Sequence, residues 1–324
     1  MFHMNNKKFF NVGGHLFRIS SEESLYGIFG LLKNYKPFEV NDAVSDNDTI
    51  FGLHIDSIEN FIKPKDIVLK LKFDGEATGI ELYERSEEKR QDEEKRQNSS
   101  YFVFRSPDMN RTDMNRIIAV MVHNDELKEN RIFVDREAGG LALAAAVNNA
   151  VMLMYAFYTS CMDTLLIHAA AVSCRDRNSN GLNGYVFLGR SGTGKSTHSR
   201  LWLKNIEDCE LMNDDNPVLR ITPEGVMVYG SPWSGKTPCY KNVVLPLGGI
   251  VRLMQAPQNE IKRLGGIEAY AALVPSASSM KWKRELADGQ HRTFGSIIEK
   301  VPVYLLKCLP DNEAAFLCHE TIVK

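Results

Sequence analysis

Nine residues carry the most pointed chemistry in the sequence. Gly189-Arg190-Ser191-Gly192-Thr193-Gly194-Lys195-Ser196-Thr197 meets GxxxxGK[ST] at every fixed position. Such a loop wraps backbone N–H groups around a phosphate, and its glycines permit positive φ and a close approach of backbone to ligand. The helix that follows points its positive end at the same anion. At this spacing Lys195 reaches the β- and γ-phosphates and the Ser196 hydroxyl can ligate Mg2+. The expected nucleotide-binding set is therefore Gly189, Ser191, Gly192, Thr193, Gly194, Lys195, Ser196 and Thr197. A glycine-rich turn without a ligand is the plainer reading. Against it, GYVFLG just before reads as a strand and KSTHSRLWLK just after reads as a helix.

A second stretch, Gly230-Ser231-Pro232-Trp233-Ser234-Gly235-Lys236-Thr237, fits the same pattern but is not expected to cradle phosphates. Pro232 removes a backbone donor, Trp233 puts bulk where backbone must approach, and Pro238 and Pro246 leave little room for a helix. It reads as a loop after a strand at 226–229, either touching a ligand or serving as a plain turn. Asp214-Asp215 lies twenty residues after Lys195, far enough for a helix to run out and a strand, 211–213, to return. That return places the carboxylates at a strand's C-terminal end, where sheets of this type bind ligands. One carboxylate can hold Mg2+ and its neighbour can take the proton of an attacking hydroxyl. His168 sits in LLIHAAAV, in the strand region before the phosphate loop. Alone it reads as a core histidine; beside the other two elements it can line the same site.

These residues need elements to hold them. The first 135 residues are rich in short strand-like runs, at 9–12, 15–19, 67–73, 79–83, 101–105, 117–122 and 131–134, with one helix expected near 22–32. A charged segment at 84–100, in which EEKRQ occurs twice, reads as a solvated excursion between strands. DMNR also repeats, at 108–111 and 113–116, as a local duplication. From 136 to 324 the texture is that of a nucleotide-binding domain. A long apolar helix is expected at 138–162, one strand at 164–172, a polar loop at 174–183, a strand at 185–188, and a helix at 195–204. Strands at 249–254 and 303–308 and helices at 266–273, 294–300 and 313–322 follow. The expected fold class is α/β (α+β overall), with a mainly β N-terminal region ahead of a P-loop core.

The whole chain has 324 residues with 39 Lys+Arg against 41 Asp+Glu, a net charge of −2, and 44% hydrophobic residues. That balance offers no field for nucleic acid or an anionic membrane, so neither is an expected partner. The apolar run 141–160 is interrupted by Asn148 and Asn149, and reads as a buried helix in preference to a membrane span. The six cysteines form no CxxC pair and no zinc spacing, which predicts reduced thiols. MFHMNNKKFFNVGG has no apolar signal region, and a cytoplasmic location is expected.

Taken in order, IHAAAV, GRSGTGKST and NDD resemble the HPr kinase/phosphorylase and phosphoenolpyruvate carboxykinase superfamily. Carboxykinases carry similar MHxSA, GLSGTGKTT and GDD segments; HPr kinases carry similar HG, GxSGxGKS and ADD segments. The resemblance spans about 165–254. It implies an active-site role for His168, a phosphate-contacting role for Lys195 and metal binding by Ser196. For the acidic pair it implies metal association at Asp214, and a base or second-metal role at Asp215. It further implies ATP and Mg2+, with room for a second divalent metal such as Mn2+, and a phosphoryl acceptor bearing a hydroxyl on a protein, peptide or small molecule. A homo-oligomer is left open. PWSGKTPCYKNVVLPLGG stands where HPr kinases carry a glutamate and an RGLG run, so HPr itself is not the implied acceptor. The expected activity is transfer of the γ-phosphoryl group of Mg-ATP. The alternatives are a nucleotide-binding regulator without turnover and, less favoured, an ATP-type carboxykinase. Arg252, Arg284 and Arg292 are the candidates to neutralise transition-state charge.

Overall fold

The structure, a computed structural model, describes residues 6–40, 44–73, 79–85, 99–106, 116–124, 128–176, 181–278 and 283–323. Most of the charged excursion and of the DMNR duplication lies outside them. The chain divides into two compact units, residues 1–11 with 15–154, and residues 12–14 with 155–324.

The first unit is built on β1 (Lys7–Val12), β2 (His15–Ser21), β3 (Glu39–Val40), β4 (Phe51–Ser57), β5 (Ile67–Phe73), β6 (Gly79–Arg85), β7 (Ser99–Ser106), β8 (Arg116–Asn124) and β9 (Glu129–Val134). They form one sheet in the order β3-β1-β2-β4-β9-β8-β7-β6-β5. The mainly β character expected of this region is found. The helix expected near 22–32 is instead a pair of 3-10 segments, Glu23–Gly30 and Lys33–Phe38. Strand β4 was not expected, yet it lies inside the sheet, parallel to both β2 and β9. Its apolar residues do alternate, and Phe51, Leu53 and Ile55 are fully buried. Polar residues at His54, Asp56 and Ser57 dilute that pattern in the sequence. Phe51 stacks on Phe17 with ring centroids 5.1 Å apart, and Phe10 packs 5.6 Å from Phe17. This aromatic row lies in the unit's core.

Helix α1 (Gly140–Thr159) takes up the apolar run. Among the described residues it is the one helix long and apolar enough to cross a membrane. Half of that window is buried in the protein, and the Asn148 amide accepts a hydrogen bond from Asn34 at 2.8 Å. A bare amide in lipid would have no such partner.

The second unit is mixed α/β. Its strands are β10 (Thr164–Leu166), β11 (Ala169–Arg175), β12 (Leu182–Leu188), β13 (Glu210–Asn213), β14 (Val218–Thr222), β15 (Gly225–Tyr229), β16 (Val244–Gln255), β17 (Glu260–Leu264) and β18 (Val303–Cys308). Its helices are α2 (Lys195–Asn205), α3 (Gly266–Leu273), α4 (Arg284–Lys300) and α5 (Asn312–Ile322). β12, β16 and β18 run parallel, and β11 joins antiparallel between β12 and β13.

Period-two alternation assigns each strand residue to one of two cores. Ala169, Ala171, Val186, Leu188, Ile250 and Val303 meet Ala269 and Leu273 of α3 and Phe294 and Ile297 of α4. Val172, Tyr185, Phe187, Val251 and Tyr304 meet Trp202 of α2 and Ala315, Cys318 and Ile322 of α5. Helices therefore cover both faces, the layering that buries a parallel sheet.

Two expectations are corrected here. The strand expected at 164–172 is broken at Ile167–His168, because β10 pairs with β14 while β11 pairs with β12 and β13. The expectation of reduced thiols fails for one pair: Cys174 and Cys209 form a disulfide. They are 35 residues apart, and only the β11·β13 pairing brings them together. Alkylation under denaturing, non-reducing conditions is expected to label Cys161, Cys239, Cys308 and Cys318, and to reach Cys174 and Cys209 only after reductant. Mass spectrometry reads this directly; equal labelling of all six would remove the disulfide.

Helix α2 buries Lys195, His198, Ser199 and Trp202, spaced i, i+3, i+4, i+7 along one face. His198 accepts from the Trp202 indole N–H at 3.1 Å and packs edge-on to Phe187. Burial pushes its pKa down to about 4. The unfolded chain takes this proton near 6.5, so stability should fall as pH drops through the window between those values. The loss between about pH 7 and about pH 4.5 should be roughly 2–3 kcal/mol larger in the wild type than in His198→Phe. Urea denaturation at the two pH values measures it, and parallel losses in the two proteins would contradict it.

Candidate active site

The glycine-rich loop lies where the sequence predicts, between β12 and α2. Its shape depends on two glycines, because Gly192 has φ +79° and Gly194 has φ +108°, conformations that side chains rarely adopt. Thr193 N–H turns back onto the Arg190 carbonyl at 3.1 Å. Gly194 caps α2, and the first turn of that helix leaves N–H groups without intrahelical acceptors, facing the loop. Gln255, at the end of β16, braces the loop by donating to the Gly192 carbonyl at 3.3 Å.

Lys195 is buried, and its ammonium donates to the Gly189 carbonyl at 3.0 Å and to His168 Nε2 at 2.8 Å. His168 Nδ1 is 2.9 Å from Asp215 Oδ1. The roles follow from the donor inventory. An ammonium has no lone pair, so Nε2 must accept; Nδ1 then carries the proton and donates to the carboxylate. The three residues form one directional chain, Lys195 to His168 to Asp215, running through a neutral imidazole.

The break between β10 and β11 makes this chain possible. Ile167 N–H binds the Pro217 carbonyl, His168 N–H binds the Ser276 carbonyl at 2.6 Å, and Ala169 N–H binds the Asp215 carbonyl at 2.7 Å. His168 thus leaves the regular ladder. Its side chain is 42% exposed although Ile167 and Ala169 on either side are fully buried.

The acidic pair sits on a turn organised by a residue that sequence reasoning missed. Asn213 is fully buried, and its Oδ1 accepts from the N–H groups of Asp215 at 2.9 Å and Asn216 at 2.8 Å. Its amide donates to the Ser231 hydroxyl and to the Ser231 and Trp233 carbonyls. An Asn that binds N–H groups two and three residues on is a turn-forming signal, so Asn-Asp-Asp could have been read that way. Asp215 accepts His168 on Oδ1 and the Asn216 amide on Oδ2 at 2.6 Å. Asp214 is buried; its Oδ2 accepts Thr237 N–H at 3.1 Å, and its Oδ1 accepts no hydrogen bond among the described residues.

The contacts therefore join Lys195, His168 and Asp215, and link Asp214 to the Gly230–Thr237 segment. No hydrogen bond joins Ser196 to the aspartates; its carbonyl accepts from Arg200 within α2. Among the described residues no group of three or more His, Cys, Asp or Glu forms an all-protein metal site. The donors present suit Mg2+ all the same, because that ion takes one or two carboxylates or hydroxyls and completes its shell with phosphate oxygens and water. Of the three arginines considered, Arg252 donates to the Ala271 and Ala272 carbonyls at the end of α3, and Arg284 pairs with Asp288.

Replacing Asn213 with Ala strips an acceptor from two N–H groups and a donor from the Ser231 and Trp233 carbonyls. A destabilisation of roughly 2–4 kcal/mol is expected. Guanidinium denaturation checks it; a loss below about 1 kcal/mol would mean that water replaces these bonds.

Compared with known proteins, the chain matches no family model and no curated relative.

Proposed function

We propose that this chain is an ATP-dependent phosphotransferase with a P-loop core of the HPr kinase-like type. Its function would be to move the γ-phosphoryl group of Mg-ATP to a hydroxyl of a protein, peptide or small molecule. The observation that carries the reading is the unbroken link from Lys195 through His168 to Asp215. A phosphate-contacting ammonium and a carboxylate are held in register across one imidazole. A glycine-rich turn with no ligand has no need of that register.

In this reading the loop backbone and Lys195 bind and orient the β- and γ-phosphates. Mg2+, when bound, would neutralise charge on those oxygens, and Ser196 and Asp214 are the residues to hold it; Asp215 would face a second divalent ion such as Mn2+. Asp214 suits this role because its Oδ2 is fixed by Thr237 and its Oδ1 is uncommitted. Asp215 accepts the proton of the acceptor hydroxyl. A carboxylate has about four lone-pair positions, and two are used by His168 and Asn216, so capacity remains. His168 orients that carboxylate and the lysine together. The acceptor oxygen takes the phosphoryl group, and ADP leaves with the electron pair of the broken bond. A cytoplasmic location would supply ATP as substrate.

The test is incubation of the full chain with γ-labelled ATP, Mg2+ and cell extract. Wild type should transfer label, and Asp215→Asn should lose roughly 10²-fold or more while still binding ATP. Lys195→Ala should lose ATP binding. Equal transfer by wild type and Asp215→Asn would remove Asp215 as base. ATP binding with neither transfer nor hydrolysis would favour a regulator without turnover.

A further inference from the structure

The Gly230–Thr237 segment packs on both aspartates but has no role in the transfer described so far. It is fixed along its length. Asn213 binds Ser231 and Trp233, and the Ser231 hydroxyl donates to the Asn216 carbonyl at 2.6 Å while accepting Trp233 N–H at 3.1 Å. Ser234 closes the far turn, donating to the Thr237 carbonyl at 2.7 Å and accepting Cys239 N–H at 3.2 Å. A Cβ on Gly235 would stand 3.3 Å from Asp215 Cβ and 3.4 Å from Asp214 Oδ2, so this glycine lies directly against the pair. Thr237 N–H is bound to Asp214.

Lys236 stands between these two contacts. The residues on either side touch the aspartate pair, yet the Lys236 side chain is exposed and makes no ion pair or hydrogen bond among the described residues. Nearby, Lys241 pairs with Glu210 at 2.9 Å. A flexible ammonium beside two carboxylates gains from pairing with one of them unless the geometry of the backbone directs it elsewhere. Here Asp214 Oδ1 and further lone-pair positions on Asp215 are open, yet Lys236 pairs with neither carboxylate. The cation is carried to the edge of the site by a rigid loop and left available to an anion.

We propose that Lys236 is a second phosphate-contacting lysine, which meets the γ-phosphoryl group of the bound nucleoside triphosphate from the aspartate side of the site. This rests on the phosphotransferase reading above. In the transfer, a lone pair of the acceptor oxygen forms a bond to the γ-phosphorus. The bond from that phosphorus to the bridging oxygen breaks, its electrons stay on ADP, and the hydroxyl proton goes to Asp215. Lys236 forms no covalent bond; it neutralises charge on the three γ-oxygens as they pass between donor and acceptor. Because the loop is held by Asn213, Asp214 and Ser234, presenting that charge requires no reorganisation of the backbone.

The distinguishing property is selectivity for the γ-phosphate. Calorimetric titration of the full chain with Mg2+ and either ADP or a non-hydrolysable ATP analogue tests it. Lys236→Met keeps the apolar stem and removes the charge. It is expected to weaken the triphosphate analogue about 10-fold and leave ADP within about twofold, whereas Lys236→Arg keeps most of the preference. A melting scan checks folding, and Lys236→Gln repeats the measurement if the Met variant melts early. If wild type binds both nucleotides and the Met variant weakens both equally, or neither, the Lys236 assignment falls and the P-loop reading stands. If wild type binds neither nucleotide, both fall.

Discussion

The site depends on one hydrogen-bond requirement: the Lys195 ammonium can only donate. It donates to a carbonyl of its own loop and to the single lone pair of His168. That choice fixes the imidazole tautomer, and the tautomer fixes which way the ring addresses Asp215. Three residues from three different segments thereby share one set of donor and acceptor roles. The surrounding structure can be understood as what keeps them in register. The switch of pairing between β10 and β11 releases His168 from the ladder, the left-handed glycines set the start of α2 and hence of Lys195, and the Asn213 turn sets the carboxylate. A change in any of these moves one end of a chain whose hydrogen bonds tolerate only a few tenths of an ångström.

Legibility from the sequence followed how local the determining physics is. The strand, loop and helix around Lys195 were readable because glycine conformation, helix start and apolar run all fall within about twenty residues. The α3, β18 and α5 segments were readable for the same reason. Helix α4 begins ten residues before the expected 294 because its first half buries Gly289, Gln290 and Thr293 in place of large apolar side chains. Gln290 satisfies its amide on the Ser278 carbonyl at 2.7 Å, and Thr293 binds the Gly289 carbonyl. A hydropathy period cannot register a face sealed by hydrogen bonds. Strand β14 and the full length of β16 were missed where turn residues and Pro246 interrupt the apolar signal.

The site shows the same division. That Lys195, His168 and Asp215 could meet was legible from residue type and order along the chain. What was not legible is the direction of the contacts between them. His168 stands between Lys195 and Asp215, and this depends on strand pairing across fifty residues of chain. The Cys174–Cys209 bond is likewise a product of β11·β13 register and has no trace in cysteine spacing.

The two Gly-Lys-Ser/Thr segments make the underlying point most sharply. At 194–196 the glycine has positive φ, the lysine folds back onto its own loop, and a helix begins. At 235–237 prolines on both sides forbid a helix, the backbone N–H of the third residue is taken by Asp214, and the exposed lysine makes no ion pair or hydrogen bond among the described residues. Identical side-chain chemistry is thus turned inward in one case and outward in the other. Backbone donors decide the difference. The first loop opens onto the N–H groups of a helix start, whereas in the second Thr237 N–H goes to Asp214 and the Trp233 and Cys239 N–H groups go to serine hydroxyls, so what it still presents to solvent is the charge of Lys236.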